Sequence, residues 1–315
     1  MNYVSFGRTG LRVSPYCLGT MTFGKEADES TSIALMNRAL ELGINFFDTA
    51  NTYNGGLTEQ IVGRWLKPHR EAIVLASKCY FPTGPGPNER GTSRRNITLS
   101  VEKSLKRLDT EWLDILYLHH WDDEAAIEES LDAVDRLVTQ GKVFHCGVSN
   151  FTAWQSMKAI GAAQALRLPP IVCMQPMYNL VKRQAEVELL PLARAESLAV
   201  CPYNPLAAGL LTGKYGRGES GRLRENDMYR ERYRNEQYWQ AAERFTEFAR
   251  KNGYSPAALA AAWVNSHPAV TSTILGARNL DQFNDTMGAL DIDMTPELRK
   301  EISALSADPP LATDR

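Results

Sequence analysis

Residues 46–53 read Phe46-Phe47-Asp48-Thr49-Ala50-Asn51-Thr52-Tyr53, a short apolar run that ends in an aspartate and continues into a polar loop. Seven further short apolar runs recur along the 315 residues of the chain. Runs of this kind, short and almost continuously apolar, are typical of strands that a parallel sheet buries on both faces. The eight predicted strands span residues 16–19, 44–48, 72–78, 113–119, 143–149, 171–175, 198–203 and 271–276.

Helical patterns lie between the predicted strands, where apolar residues recur at steps of three and four. The clearest stripes are Ile33, Met36, Leu40 and Leu42; Ile97, Val101, Leu105 and Leu108; and Leu131, Val134, Leu137 and Val138. Strand and helix therefore alternate along the chain. Because parallel strands need crossover connections and a closed barrel has no free sheet edge, we expect an α/β fold, a (β/α)8 TIM barrel in which residues 1–315 form a single domain.

A doubly wound open sheet is the alternative architecture for the same alternation. An open sheet that binds a dinucleotide needs the turn G-x-G-x-x-G after its first strand. The corresponding segment here is Leu18-Gly19-Thr20-Met21-Thr22-Phe23-Gly24, which lacks that pattern. The sequence therefore favours the barrel.

Three segments depart from the repeating pattern. Residues 81–87 are a loop rich in glycine and proline, and residues 212–234 are a long insertion between the seventh strand and the seventh helix. Both follow the carboxyl end of a strand, where barrel active sites are built, so each either covers the site or is a variable surface loop. Residues 3–12 predict an N-terminal β-hairpin that plugs the amino-terminal mouth of the barrel.

Composition and charge exclude several classes of protein. The formal net charge of −2 leaves no overall electrostatic footprint for nucleic acid or for an anionic membrane. No apolar run approaches the length of a membrane helix, and the first residues lack the pattern of a signal peptide, so we expect a cytoplasmic protein. The five cysteines are widely spaced and contain no C-x-x-C pair, which indicates reduced thiols and no zinc site.

Polar residues stand at or just beyond the carboxyl ends of six consecutive predicted strands. They are Asp48, Lys78, His119, Ser149 with Asn150, Gln175 and Tyr203. In a barrel these ends converge on one mouth, so a carboxylate, an ammonium and an imidazole from adjacent strands should meet there. Tyr53 lies five positions beyond Asp48 and adds a titratable hydroxyl to the same mouth.

This set of groups suits the reduction of a carbonyl, which needs a proton donor for the developing alkoxide. We assign that role to the phenol of Tyr53, whose pKa a nearby Lys78 would lower. Asp48 then supplies the counter-charge that a buried Lys78 requires, and His119 orients the carbonyl oxygen. The catalytic residues we predict are Asp48, Tyr53, Lys78 and His119, and the chemistry needs no metal.

The segment 119–124 offers an alternative, because imidazole and carboxylate groups are typical of zinc or manganese sites. His119 and His120, however, are neighbours on a strand, which sends their side chains to opposite faces. A metal-dependent barrel hydrolase is therefore the less favoured interpretation.

The motifs around these residues resemble those of the aldo-keto reductase superfamily. Residues 46–53 resemble its first signature, and Lys78 and His119 match its lysine and histidine, while His120 stands where the family often has Arg or Trp. Residues 147–151 and 174–179 resemble the segments whose Ser, Asn and Gln bind the nicotinamide carboxamide. The resemblance covers nearly the whole chain and implies an NAD(P)(H)-dependent oxidoreductase that reduces aldehydes or ketones, sugars included.

The resemblance also implies where the cofactor binds. Tyr203 resembles the family's ring that stacks on nicotinamide. Residues 203–215 resemble the loop that contacts the pyrophosphate, and residues 275–282 resemble the segment that binds the adenosine phosphate. Arg278 can form a fork on a 2′-phosphate, so we expect NADP(H), with NADPH preferred over NADH. At Asp285-Thr286 the chain departs from the family's common Glu-Asn. The implied cofactor residues are Gly19, Thr20, Met21, Asp48, Ser149, Asn150, Gln175, Tyr203, Asn204, Pro205, Leu206, Gly209, Leu210, Lys214, Gly276, Arg278, Gln282, Asp285 and Thr286.

Several side chains near the strand ends are candidates to form the substrate pocket, namely Met21, Phe23, Tyr53, Tyr80, His119 and Trp121. Six arginines of the insertion, at positions 217, 222, 224, 230, 232 and 234, either attract cofactor phosphates or belong to a solvated charged surface. An alternative function is that of a nucleotide-binding regulatory subunit resembling the potassium-channel β subunits. Neither the physiological substrate nor the oligomeric state follows from the sequence, and we expect no nucleic-acid or membrane partner.

Overall fold

The computed structural model describes residues 1–313, which form ten strands and twelve α-helices. The strands are β1 Val4–Ser5, β2 Arg12–Val13, β3 Tyr16–Gly19, β4 Phe46–Asp48, β5 Val74–Cys79, β6 Leu113–Leu118, β7 Val143–Ser149, β8 Ile171–Gln175, β9 Ala199–Val200 and β10 Thr273–Leu275. The helices are α1 Glu29–Glu41, α2 Leu57–Leu66, α3 Arg94–Leu108, α4 Ile127–Thr139, α5 Ala153–Leu166, α6 Leu189–Glu196, α7 Arg222–Glu225, α8 Asp227–Arg232, α9 Glu236–Lys251, α10 Pro256–Asn265, α11 Leu280–Met287 and α12 Pro296–Ser303.

Strands β3 to β10 form one parallel sheet, in the order β10-β3-β4-β5-β6-β7-β8-β9. Its two ends meet through the backbone, where Thr271 N donates to Val200 O at 2.8 Å and Ile274 N donates to Pro202 O at 3.0 Å. Helices connect most of the successive strands. The predicted (β/α)8 fold is confirmed, and the open-sheet alternative is wrong for this chain.

The predicted seventh strand, residues 198–203, is much shorter in the structure. Its ladder with β8 covers Ala199 and Val200, and the chain reaches Pro202 two residues later. A proline has no N–H to donate to a ladder, so regular pairing ends before it. The backbone of Tyr203 returns to the sheet edge, where its N–H donates to Pro176 O at 3.0 Å.

The N-terminal hairpin is confirmed. Strands β1 and β2 pair antiparallel, and Phe6 and Val13 are fully buried in a cluster with side chains from inside the barrel. Gly7 lies close to the chain before β9, and a Cβ there would stand 3.1 Å from Ser197 O. Since Gly7 also has a φ of 55°, the hairpin needs glycine to fit against the barrel.

The predicted insertion after the seventh strand is folded. It contains the short helices α7 and α8 and buries Tyr215, Leu223 and Tyr229. Because these side chains pack against the body of the barrel, the segment is an ordered covering of the barrel mouth.

Within residues 1–313, no helix is both long and apolar enough to cross a membrane. All five cysteines are buried thiols. The extent of the domain, residues 1–315, stays a prediction, and residues 314 and 315 lie outside the described part of the chain.

Candidate active site

A buried ion pair forms the floor of the barrel mouth. Lys78 Nζ, on β5, donates to Asp48 Oδ1, on β4, at 2.5 Å, and both side chains are almost completely buried. The same ammonium donates to Thr49 O at 2.8 Å and to the hydroxyl oxygen of Tyr53 at 3.3 Å. These three acceptors match the three hydrogens of an ammonium group. Lys78 therefore fixes the position of the Tyr53 hydroxyl.

The second oxygen of Asp48 is bound from the far side of the barrel. Gln175 Nε2, at the end of β8, donates to Asp48 Oδ2 at 2.8 Å, and Ser149 Oγ, at the end of β7, donates to Gln175 O at 3.0 Å. Both carboxylate oxygens thus have partners, which offsets the cost of burying the charge.

His119 follows β6 and lies beside Tyr53. The two rings meet edge to face with centroids 6.2 Å apart, and Asn150 Nδ2 donates to His119 O at 2.9 Å. Tyr203 in turn donates its hydroxyl hydrogen to Asn150 Oδ1 at 2.8 Å. His119 Nδ1 is buried and has no hydrogen-bond partner within residues 1–313.

The pKa values of these groups follow from burial and from Lys78. Burial raises the pKa of Tyr53, and the Lys78 ammonium opposes that rise without cancelling it. Lys78 thus lowers the pKa of Tyr53 as predicted, but burial has the larger effect and the net shift is upward. Burial alone would lower the pKa of Lys78, but Asp48 and Tyr53 raise it overall, so Lys78 is charged. Burial, with Lys78 and His120, lowers the pKa of His119 well below its ordinary value, so this imidazole is neutral at pH 7.

A cavity of about 690 Å³ opens above this cluster and extends to the insertion. Its size is suitable for a large ligand. Most of the residues predicted to form the site line it, namely Gly19, Thr20, Met21, Asp48, Tyr53, His119, Ser149, Asn150, Gln175, Tyr203, Asn204, Pro205, Leu206, Gly209, Lys214, Gly276, Arg278, Gln282, Asp285 and Thr286.

Five predicted residues do not line the cavity. Lys78 lies fully buried beneath it, and Phe23 and Leu210 belong to the main hydrophobic core. Tyr80 stacks on His120 with centroids 5.1 Å apart, and Trp121 packs edge to face on Phe151 and Trp154. The assignment of Phe23, Tyr80 and Trp121 to a substrate pocket stays a prediction, since their rings pack against other side chains and do not line this cavity.

Other lining residues were not predicted. Phe81, from the glycine- and proline-rich loop, contacts the ring of His119 edge to face with centroids 4.8 Å apart. Alternation continued from the inward-facing Lys78 favours Tyr80 over Phe81. Because β5 ends at Cys79, the conformation of the loop decides which ring reaches the cavity, and the local sequence carries no signal for Phe81.

The insertion supplies the upper wall of the cavity. Three of its six arginines line it, Arg217, Arg222 and Arg232, together with Met228 and Tyr229. Arg230 and Arg234 instead pair with Asp227 and Glu231 at the surface, and Arg224 donates to backbone carbonyls. Arg217 also pairs with Glu219, so Arg222 and Arg232 are the cavity arginines without an acid partner among the described residues, and attraction of cofactor phosphates stays a prediction.

Basic groups gather at the end of the cavity away from His119. Lys214 and Arg278 line it there, and Arg278 Nη2 pairs with Glu225 Oε2 at 3.1 Å, which links the insertion to the segment after β10. Gly209, with a φ of 90°, leaves room for the side chain of Lys214, since a Cβ would stand 2.7 Å from its Cε. The cavity thus has a cationic end suited to phosphate groups.

The residues considered as metal ligands have other partners. His120 Nδ1 lies 2.7 Å from Trp121 O, Asp122 Oδ2 accepts from Thr92 N at 2.6 Å, and Asp123 Oδ1 accepts from Trp121 Nε1 at 2.9 Å. In the part of the chain that the structure describes, no three His, Cys, Asp or Glu side chains are grouped to hold a metal ion. The hydrolase interpretation has no support in this geometry.

Comparison with known families gives one match that covers most of the chain. Residues 15–307 match the model described as the aldo/keto reductase family. The matched range contains the whole barrel and the insertion.

Similar proteins come from bacteria, plants and fungi. The uncharacterized oxidoreductase YrpG of Bacillus subtilis (strain 168) is 39% identical over 98% of this chain and 97% of its own. A probable voltage-gated potassium channel subunit beta of Oryza sativa subsp. japonica is 35% identical over 100% of this chain and 99% of its own. Norsolorinic acid reductase A of Aspergillus parasiticus is 31% identical over 93% of this chain and 78% of its own.

Proposed function

The chain belongs to the aldo/keto reductase family, and from that premise we propose that it is an NADPH-dependent carbonyl reductase with Tyr53 as its proton donor. Asp48, Lys78 and His119 complete the proposed catalytic group. Membership of the family supports a carbonyl-reducing oxidoreductase, and the geometry of the site supports the finer assignments. A cytoplasmic location stays a prediction.

The observation that carries the proposal is the direction of the hydrogen bond between Lys78 and Tyr53. A charged Lys78 has only hydrogens to offer, so the oxygen of Tyr53 accepts from it at 3.3 Å. The hydroxyl hydrogen of Tyr53 is then available to another acceptor. Because Tyr53 lines the cavity, a carbonyl oxygen bound beside it receives that hydrogen.

Lys78 also stabilises the phenolate that remains after the transfer. Its ammonium already lowers the pKa of Tyr53 against the effect of burial, and it keeps its charge through Asp48. His119 is neutral, so it positions the carbonyl oxygen through a hydrogen bond and does not compete with Tyr53 as an acid.

The cavity fits a nicotinamide dinucleotide. Polar side chains of Ser149, Asn150 and Gln175 line the end near Tyr53, and basic groups line the other end. When bound in reduced form, the nucleotide supplies the hydrogen and the electron pair to the carbonyl carbon. Asn150 and Gln175 would hold the carboxamide, and Tyr203 the face of the ring.

Preference for NADPH rests on Arg278 and Lys214. Both line the cationic end, where burial and the charge of Arg278 lower the pKa of Lys214. Two neighbouring cations gain most from a ligand that brings a further phosphate, and NADPH differs from NADH by one phosphate.

A nucleotide-binding regulatory subunit is the second candidate, favoured by the similarity to a probable potassium channel subunit beta. The two candidates share the cavity and differ in turnover. Titrating the purified protein with NADPH and NADH by fluorescence, and then adding aldehydes, ketones and sugars, separates them. Oxidation of NADPH by a carbonyl supports the enzyme, binding without oxidation supports the regulatory role, and no binding contradicts both.

Arg278→Ala tests the cofactor preference. We expect the variant's affinity for NADPH to fall about tenfold or more while its affinity for NADH changes little. Only NADPH carries the 2′-phosphate with which the Arg278 guanidinium would form a pair of charge-assisted hydrogen bonds. The measurement is the same titration, with Arg234→Ala as the control because Arg234 is exposed and pairs with Glu231. Equal losses for both nucleotides would mean that Arg278 does not bind the 2′-phosphate.

A further inference from the structure

Arg232 differs from its neighbours in the insertion. It ends α8 and lines the cavity, and its guanidinium lies 5.2 Å from the centre of the Tyr229 ring. Its polar contact is with Met228 Sδ at 4.0 Å. Within residues 1–313 no carboxylate lies within 4.0 Å of Arg232, whereas Arg230 and Arg234 each pair with one.

A second cation faces Arg232 without an intervening acid. The ammonium of Lys182 lies 5.2 Å from the ring centre of Tyr238 and 5.7 Å from that of Tyr233. Burial and the charge of Arg232 together lower the pKa of Lys182. Among the described residues Lys182 likewise has no carboxylate in salt-bridge distance. Two like charges held together cost free energy that a bound anion recovers.

Arg232 is the member of this pair that lines the cavity, and its charge acts on a residue near the catalytic group. The charge of Arg232 lowers the pKa of Tyr203 against the effect of burial, and Tyr203 reaches His119 through Asn150. The charges that act on Lys214, at the other end, are those of Arg278 and Arg222 with the nearby acids. The ring of Tyr229 contacts both Arg222 and Arg232, so it marks the boundary between the two cationic regions.

We propose that the carbonyl substrate carries a carboxylate group, which Arg232 binds while the carbonyl oxygen lies at Tyr53 and His119. The guanidinium fork matches the two oxygens of a carboxylate, and Lys182 adds attraction from behind it. The inference rests on the proposed reductase function, and it narrows the substrates of that reductase to carbonyl compounds that also carry a carboxylate.

A matched pair of aldehydes tests the inference. 4-Formylbenzoate and its methyl ester share the ring and the aldehyde and differ in the negative charge. With saturating NADPH we expect kcat/KM to be about tenfold or more higher for the acid. Arg232→Gln should reduce the ratio of kcat/KM for the acid to kcat/KM for the ester by about tenfold to a hundredfold, mainly through a higher KM for the acid. Arg234→Gln, a surface arginine of the same segment, should keep the wild-type ratio.

Binding without turnover provides a second readout. 4-(Hydroxymethyl)benzoate, titrated by calorimetry into the protein with NADPH, a combination that cannot react, should bind more weakly to Arg232→Gln than to the wild type and to Arg234→Gln. A loss of NADPH affinity in Arg232→Gln with an unchanged acid-to-ester ratio would overturn the inference, because Arg232 would then bind a cofactor phosphate. Reduction of both aldehydes without preference would overturn it and leave the reductase function intact. If neither aldehyde is reduced, the inference fails, and the panel of aldehydes, ketones and sugars decides whether the proposed reductase function fails with it. Carboxylate binding that does not depend on Arg232 would also end the inference.

Discussion

Lys78 is a charged side chain with no exposed surface. An unpartnered ammonium at that depth would lose its proton or destabilise the fold by several kcal/mol. Asp48, Thr49 and Tyr53 accept its three hydrogens, so the charge is retained at the floor of the cavity. The same arrangement makes the Tyr53 oxygen an acceptor from Lys78 and so leaves the hydroxyl hydrogen free for another acceptor.

His119 should make stability depend on pH. Its pKa in the folded protein is far below the ordinary value of 6.5 because it is buried and lies near Lys78. Below about pH 6.5 the unfolded chain binds a proton that the folded protein does not, so the free energy of unfolding falls as the pH falls. Between about pH 7.5 and about pH 5.5, we expect His119 to account for about 1 kcal/mol of the decrease in the free energy of unfolding.

Urea unfolding of the wild type and of His119→Gln at both pH values measures this contribution. His145 and His267 also have lowered pKa values, that of His267 to about 4, so the wild type and the variant should both lose stability in acid. The variant should lose about 1 kcal/mol less. Equal losses would show that His119 is not held neutral by its surroundings.

The rule that parallel strands bring their carboxyl ends to one mouth predicted the floor of the cavity, because it depends on topology alone. Asp48, Gln175 and Ser149 come together since parallel strands place their carboxyl ends at one mouth. The rule does not apply beyond the strand, where loop conformation and local packing choose between neighbours. Phe81 therefore reaches His119, and Tyr80 turns to His120.

At the scale of elements, the buried phenol of Tyr233 is one of the groups that hold the insertion in place. The oxygen of Tyr233, which is almost fully buried, accepts from Asn204 Nδ2 at 2.7 Å and from Asn179 Nδ2 at 3.0 Å. Asn204 begins the loop after the seventh barrel strand and has a φ of 63°, a conformation that costs free energy outside glycine. Tyr233 thus ties the insertion to that loop.

We expect Tyr233→Phe to lower the free energy of unfolding by about 1–3 kcal/mol, because two buried amides lose their acceptor. The insertion should also become more sensitive to proteolysis within residues 212–234. Urea unfolding and limited proteolysis measure the two effects. Tyr238→Phe is the control, since the Tyr238 hydroxyl has no hydrogen bond among residues 1–313, and comparable behaviour of the two variants would contradict this role.

The helices of the insertion escaped prediction for a physical reason. α7 has four residues and α8 has six, too few to show a helical period. Their order comes from tertiary packing, in which Tyr215 and Tyr229 bury their rings and Arg222 and Arg232 lie against the ring of Tyr229. Such contacts depend on the folded barrel and cannot be derived from the local sequence.

At the scale of the whole molecule, the hairpin completes the core of the barrel. Phe6 is fully buried and meets Phe46 edge to face with ring centroids 5.6 Å apart. Its cluster includes Ile115 and Cys173 from inside the sheet. The hairpin and the barrel should therefore unfold together.

Phe6→Ala tests that coupling. We expect it to lower the free energy of unfolding by about 3–5 kcal/mol, through lost burial and a cavity at the closed end, with one cooperative transition and unchanged NADPH affinity. Thermal and urea unfolding measure the change, and Tyr3→Ala, at a half-exposed ring, is the control. A small loss, or a separate transition for the hairpin, would show that the barrel core is complete without it.

The alternation of apolar runs and helical stripes predicted the barrel because each strand is buried on both faces and each helix on one. The contacts that close the barrel could not be predicted from residue types. Pro202 shortens the seventh strand, and closure depends on backbone bonds from Thr271 and Ile274, which leave no mark on residue type. The cofactor end was predicted from resemblance, and its link through Glu225 and Arg278 became visible only in three dimensions.

The central claim is that Tyr53 donates a proton to a carbonyl in an NADPH-dependent reduction. The most direct test follows the nicotinamide absorbance after an aldehyde is mixed with the NADPH complexes of the wild type and of Tyr53→Phe, with NADPH affinity measured separately by fluorescence. Tyr53→Phe keeps the ring and loses the hydrogen, so we predict equal NADPH binding and a rate about a hundredfold or more lower. An unchanged rate in the variant, or no oxidation of bound NADPH by the wild type with any carbonyl, would contradict the account.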